Sequence, residues 1–181
     1  MSLSLYVHVP LCLSRCGYCD FATVTGESAA VISGSLIRSL DALRGGLPGL
    51  TADTIYVGGG TPTALGEELP PVVERAYTWA HGRPNEFTVE TNPDTSEHGL
   101  VKHLLALGVD RFSLGVQSFD DKLLRAIGRR HSAERARDTI AEHKASGARV
   151  SIDLIAGIPG QSEESWTRDL EAALQTEVGH I

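Results

Sequence analysis

Leu5-Tyr-Val-His-Val-Pro-Leu-Cys-Leu-Ser-Arg-Cys-Gly-Tyr-Cys-Asp-Phe21 joins an alternating apolar run to a loop that carries every cysteine of the 181-residue chain: Cys12, Cys16 and Cys19. Their spacing, C-x3-C-x2-C, lets three thiolates wrap one compact metal centre, and no fourth cysteine exists to close it. Cubane iron–sulfur clusters are normally held by four thiolates, so three leave one iron open to an external ligand. Zinc is the rival reading, because Cys3His sites exist and His8 lies near. His8, however, sits along the strand pattern rather than at a C-x2-H spacing. Incidental buried thiols suit poorly a chain with three cysteines inside eight residues and none elsewhere.

Strand-like and helix-like segments alternate outward from this loop. Strand patterns are expected at Leu3–Val9, Thr54–Val57, Phe87–Glu90, Arg111–Val116 and Val150–Ile155. Helical spacing is expected at Glu27–Leu43, Glu67–Ala80 (with Pro70 and Pro71 tolerated in its first turn), Lys122–Ile127, Ala133–Ser146 and Glu163–Thr176. A further helix should open at Asn92-Pro93-Asp94-Thr95, capped by Asp94 or Thr95, and stop at Gly108. Five β/α units with helix-length crossovers imply a parallel sheet. Glu177–Ile181 reads as the start of a sixth strand, so the chain is expected to be an incomplete core domain over residues 1–181.

Strand parity narrows the architecture. Successive side chains point to opposite faces, which sets Leu5, Val7 and Val9 against Tyr6 and His8, and Phe87 and Val89 against Thr88 and Glu90. Phe112, Leu114 and Val116 oppose Ser113, Gly115 and Gln117; Ile152 and Leu154 oppose Ser151 and Asp153. A parallel sheet covered on both faces should be apolar on both, and a packed barrel interior would be apolar too. One apolar and one polar face point to a curved, open α/β sheet with helices outside and a polar cavity inside. Tyr6, His8, Glu90, Gln117 and Asp153 fall on the concave face, with the cysteine loop at its C-terminal rim.

Composition limits the partners. A formal charge of −7 with no basic cluster beyond Arg129-Arg130-His131 argues against nucleic acid. No apolar run nears the roughly 18 residues that span a membrane. The N-terminus lacks the basic start of a signal peptide, and His8 and Pro10 break its apolar run. An odd, crowded cysteine set does not make a disulfide framework, so a cytoplasmic location is expected.

The stretch Tyr6–Phe21 resembles the signature of the radical S-adenosylmethionine (radical SAM) superfamily. Within it, the chain is similar to the oxygen-independent coproporphyrinogen III oxidase-like branch. The similarity continues, in order, through Gly58-Gly-Gly-Thr-Pro-Thr63, Glu90-Thr-Asn-Pro93, Ser113-Leu-Gly-Val-Gln-Ser-Phe119, Gly128-Arg-Arg-His131 and Asp153-Leu-Ile-Ala-Gly-Ile-Pro-Gly-Gln161. The resemblance implies a partial (β/α)6 barrel, truncated near the sixth strand. It also implies a 4Fe–4S cluster on Cys12, Cys16 and Cys19, whose open iron chelates S-adenosylmethionine. In the family, one electron from the cluster cleaves the sulfonium to a 5′-deoxyadenosyl radical; the protein supplies geometry and shielding.

Roles implied by the resemblance follow position by position. Tyr18 matches an aromatic near the adenine, and Tyr6 a first-strand position near the cofactor. Gly59, Gly60 and Thr61 match the glycine-rich strand end, where missing Cβ atoms admit the methionine moiety. Glu90 and Asp153 suit ribose hydroxyls or the ammonium, and Gln117 offers a neutral donor and acceptor. Arg129 matches an arginine that meets the cofactor carboxylate, for which a planar guanidinium is well shaped. His8 receives no role.

One departure redirects the functional expectation. The catalytic oxidases of the branch carry a further cysteine two residues after the third, and here that residue is Phe21. Cys19-Asp-Phe21 and Gly128-Arg-Arg-His131 are more similar to the haem chaperones of the HemW type. Haem or a porphyrin as cargo and a haem-acceptor protein as partner are therefore expected, with the electron donor left open. Two alternatives stand beside this: coproporphyrinogen III dehydrogenation, and a zinc-stabilised domain without redox chemistry.

Overall fold

The computed structural model describes residues 2–181. Five strands form one sheet: β1 (Ser2–Val9), β2 (Thr51–Gly59), β3 (Glu86–Thr91), β4 (Arg111–Gln117) and β5 (Arg149–Leu154). Every neighbouring pair is parallel, and the spatial order repeats the sequence order, β1-β2-β3-β4-β5. Parallel crossovers are right-handed almost without exception. Strands added always on the same side therefore place every helix on one face. A doubly wound sheet would reverse direction midway, and this one does not; the curved, open sheet expected from parity forms, as the partial barrel implied by the resemblance requires.

The helical layer comprises α1 (Ala29–Gly46), α2 (Leu69–Tyr77), α3 (His98–Ala106), α4 (Asp121–Ala126), α5 (Ala133–Ala145) and α6 (Glu163–Gln175). The apolar strand face packs against it: Val9, Val57, Phe87, Val89, Phe112, Leu114, Val116 and Ile152 are fully buried in one core with Val72, Leu104, Ala136 and Ala173. Their alternation with polar residues separates a dry outer layer from the open inner face. Among the described residues no helix is long and apolar enough to cross a membrane.

Two local expectations need correction. The helix expected over Glu67–Ala80 is shorter, running as α2 over Leu69–Tyr77, and Glu67 and Glu68 belong instead to a preceding 3₁₀ segment (Pro62–Glu68) that kinks at Gly66, whose φ of 56° and ψ of −127° are not helical. Pro70 and Pro71 do open α2. The helix expected to open at Asn92–Thr95 begins only at His98, and neither Asp94 nor Thr95 caps it. Thr95 Oγ1 instead pairs with Thr63 Oγ1 at 2.7 Å and donates to the Asn92 carbonyl at 3.3 Å, so this segment is spent as a turn docked on the 3₁₀ segment. The expected sixth strand is begun: His180 bridges Ser151 in the parallel sense, and Ile152 N donates to its carbonyl at 3.1 Å.

Candidate cluster and cofactor site

Pro10 ends β1 because it cannot donate to the sheet, and the chain turns into the cysteine loop over the C-terminal ends of the strands. Two short hydrogen bonds staple the base of the loop, Val24 N to the Pro10 carbonyl at 2.8 Å and Cys12 N to the Val24 carbonyl at 3.0 Å. Its tip is held from across the sheet, where Gly17 N donates to the Ile127 carbonyl at 3.0 Å, just past α4. Cys19 N closes a turn on the Cys16 carbonyl at 3.2 Å. All three thiols are free, and all three line one open cavity of about 180 Å³ on the concave face.

The cavity gathers most of the residues singled out from sequence. Tyr18, Gly59, Gly60, Thr61, Glu90, Gln117, Arg129 and Asp153 line it together with the cysteines. Tyr6 does not. It stands half-exposed on the same sheet face, its ring 6.0 Å from Tyr56, whose hydroxyl reaches the cavity residue Glu90. Phe21 lines the mouth and stacks on His8 with ring centroids 5.6 Å apart. That contact gives His8 its work. One ring nitrogen pairs with the Tyr6 hydroxyl at 3.2 Å and the other meets the Ala22 carbonyl at 2.9 Å, tying the descending limb of the loop to β1.

Glycines let the strand ends close in. A Cβ on Gly60 would lie 2.6 Å from the Leu11 carbonyl oxygen and 3.0 Å from Cys12 Sγ. Gly59 adopts a φ of +116°, and a Cβ there would strike the His8 ring at 2.5 Å. Glu90 is fixed by two donors, the Tyr56 hydroxyl at 2.6 Å and Gly59 N at 2.9 Å. At the end of β4 the register slips between Gly115 and Gln117, and Gln117 takes a φ of +69°, which turns its side chain on the cavity wall. Bulges at sheet rims commonly re-aim a side chain in this way.

A polar relay runs behind the thiols, and sequence reasoning missed its centre. Arg129 Nη2 donates to Asn92 Oδ1 at 2.6 Å and to the Gly115 carbonyl, while Nη1 lies 3.7 Å from Cys16 Sγ. Asn92 Nδ2 in turn donates to Thr61 Oγ1 at 2.8 Å, and Thr61 Oγ1 is 3.8 Å from Cys12 Sγ. Asn92 stood inside the quoted Glu90-Thr-Asn-Pro93 run; its amide offers both a donor and an acceptor, the one signal that it could link a guanidinium to a hydroxyl. Tyr56 and Ser113 were also missed, each set on the inner face by the parity already used for its neighbours.

Electrostatics follow from partial desolvation. Burial pushes the Cys12 thiol up; the Thr61 hydroxyl pulls it the other way, and Cys19 and Cys16 add to the rise. The Tyr18 phenol is pushed up to about 12 by burial, with Arg129 opposing. Asp153 is open toward the cavity, yet the surrounding walls desolvate it and raise its carboxyl above the ordinary range, with the Ser113 hydroxyl at 3.5 Å opposing. Tyr56 is raised by burial and by its hydrogen bond to Glu90, so its proton stays on the phenol.

The donor set fits a cluster better than a single ion. A zinc site draws its ligands to one point at about 2.3 Å from the metal, and among the described residues no three His, Cys, Asp or Glu are placed to hold one ion. A cubane takes one thiolate per iron, which suits three thiols spread around a cavity mouth.

Singly wound strands, an open polar face and a three-cysteine rim define the radical SAM architecture. The family model described as the radical SAM superfamily matches residues 6–173, and the chain belongs to that superfamily. Membership carries a 4Fe–4S cluster and S-adenosylmethionine as the cofactor pair. The chain is 37% identical to the heme chaperone HemW of Mycobacterium tuberculosis, over 98% of this chain and 47% of that protein. It is 35% identical to radical S-adenosyl methionine domain-containing protein 1, mitochondrial, of Bos taurus, over 98% and 41%. The solved structure of coproporphyrinogen III oxidase (HemN) from Escherichia coli superposes with a TM-score of 0.82 at 26% identity, over 97% of this chain and 42% of that one. The chain thus spans about half the length of the curated relatives it matches.

Proposed function

We propose that this chain is the cluster- and cofactor-binding part of a haem-trafficking protein that binds haem and passes it to an acceptor protein. Cys12, Cys16 and Cys19 would hold the cluster. Gly59, Gly60 and Thr61 would receive the methionine end of S-adenosylmethionine, Arg129 its carboxylate, and Glu90, Gln117 and Asp153 its remaining polar groups, with Tyr18 at the adenine. Tyr6 would act one step removed, through Tyr56 and Glu90. When bound, the cluster supplies an electron to the sulfonium of S-adenosylmethionine. The chain's own part is to orient the cofactor and to keep water from one side of it.

The observation that carries the haem reading is Phe21. At the mouth of the cavity, where the oxidases of this branch hold another thiol, the chain presents a half-exposed phenyl ring (53%) stacked on His8. Similarity to HemW proteins supports the same direction. The likeness to HemN keeps radical decarboxylation of coproporphyrinogen as the second reading. One anaerobic experiment separates them. The protein, reconstituted with iron and sulfide, is given coproporphyrinogen, S-adenosylmethionine and a reductant, and in parallel is titrated with haem. Stoichiometric haem binding without protoporphyrinogen formation is expected. Protoporphyrinogen at a catalytic rate, or a haem titration with no stoichiometric endpoint, overturns the reading.

A further inference from the structure

The polar wall formed by the ends of β4 and β5 is held from behind by a carboxylate that does not itself line the cavity. Asp169, on α6, is 2% exposed. Its Oδ2 accepts from the Ser118 hydroxyl at 2.7 Å, and its Oδ1 accepts from Phe119 N at 2.7 Å. Ser118 and Phe119 directly follow Gln117, the cavity residue in the left-handed region. A non-glycine residue with positive φ persists only where its surroundings over-determine it. Ser118 is fully buried, and its hydroxyl also accepts from Asp120 N at 3.1 Å, so the turn after Gln117 is fastened at both ends.

The same carboxylate reaches β5. Gln161 Nε2 donates to Asp169 Oδ2 at 3.5 Å and to the Ile155 carbonyl at 3.3 Å. Its Oε1 accepts from Gly157 N at 2.6 Å and Ile158 N at 3.3 Å. Ile155 N donates to the Gln117 carbonyl at 3.0 Å. The two segments that leave the cavity wall, one after Gln117 and one after Asp153, are therefore joined through one buried acid and one amide. Every hydrogen bond Asp169 accepts comes from a neutral donor, so its role is to organise loops rather than to balance a cation.

We infer that Asp169 is a positioning residue that sets Gln117 and the β5 exit around the S-adenosylmethionine site. The inference rests on the cofactor reading given above. Replacing the carboxylate leaves two buried donors without an acceptor and removes the constraint that keeps Gln117 in its unfavoured backbone conformation.

The test compares Asp169→Ala with the parent protein, both reconstituted anaerobically with iron and sulfide. Hydrogen exchange at Phe119, Ile155, Gly157 and Ile158 should quicken by about tenfold or more, while β2 and β3 amides stay protected. S-adenosylmethionine should bind about tenfold more weakly, with iron content unchanged. In a Gln117→Ala background the Asp169 substitution should change affinity by less than about twofold, since coupled residues are non-additive. Unaltered exchange at the four amides overturns the inference. So does an equal loss of affinity in both backgrounds, because the residue would then not act through Gln117. If Asp169→Ala does not fold, Asp169→Asn preserves volume and is read in the same way, with a smaller effect. Absence of S-adenosylmethionine binding by the parent would sink the cofactor reading, and with it the positioning role. The exchange data would still decide whether Asp169 clamps the two loops.

Discussion

Tyr56 donates its hydroxyl to Glu90 Oε1 at 2.6 Å, a part-buried hydrogen bond from β2 to its neighbour β3. The other carboxylate oxygen is taken by Gly59 N, so Glu90 is locked before any ligand arrives. Removing the phenol in Tyr56→Phe takes away a hydrogen bond to a charged acceptor, a loss of about 1.5–3 kcal/mol in stability. Chemical denaturation should register it, and calorimetry should show weaker S-adenosylmethionine binding at unchanged iron content. Equal affinity in the variant would mean that Glu90 needs no such holder.

Gly60 should be intolerant of a methyl group. In Gly60→Ala the new carbon meets the Leu11 carbonyl at 2.6 Å and Cys12 Sγ at 3.0 Å, and the first of these is backbone that cannot swing away. The expected cost is about 1–3 kcal/mol, with a fall in iron bound per chain because Cys12 is displaced. Gly99→Ala is the control. It lies in α3 with nothing within 4 Å of the added carbon, and should stabilise by about 0.5–1 kcal/mol.

Cys16→Ala removes one of three thiols and the sulfur beside Arg129 Nη1. Iron content after anaerobic reconstitution should drop to that of a variant lacking all three cysteines. Iron retained at the parent level would refute Cys16 as a ligand.

His131 makes stability depend on pH. Its Nε2 meets the Val116 carbonyl at 3.2 Å and so carries the proton, leaving the buried Nδ1 unpartnered. Burial, reinforced by the Arg129 charge and opposed by the Val116 carbonyl, Asp94 and Asp121, lowers its pKa from 6.5 to about 4. Between those values the unfolded chain binds the proton and the folded chain does not. Stability is therefore full above pH 6.5 and is lost as pH falls toward 4. His131→Gln should flatten that slope without abolishing it, since buried His143 is lowered as well. An unchanged pH profile of thermal unfolding in the variant would remove His131 from the account.

Much of the architecture could be read from residue order alone, for a definite reason. In β4, Phe112, Leu114 and Val116 alternate with Ser113, Gly115 and Gln117, and sequential parallel strands turn that alternation into an outside and an inside. The cysteine spacing and the glycine run were legible because both constrain backbone within a few residues. Asn92 and Tyr56 were not, because their partners, Arg129 and Glu90, are 37 and 34 positions away. The misplaced start of α3 has the same origin: Thr95 looked like a helix cap, but its hydroxyl is claimed by Thr63, 32 positions earlier. Local chemistry nominated residues; only tertiary pairing revealed which of two good options each side chain took.

The tether between Gly17 and Ile127, with Arg129 reaching back 113 positions to Cys16, also orders events in time. A ribosome releases the three thiols before β2 is made, and their distant anchors only after three further strands, β2, β3 and β4, have followed. Until then the loop has its stapled base but no fixed tip, and the guanidinium that sits beside Cys16 is not yet made. Iron and sulfide supplied during synthesis would meet unanchored thiols on a growing chain. Delivered after the fourth β/α unit has folded, they would meet a loop fixed at both base and tip, so loading of this centre is favoured once that unit is in place.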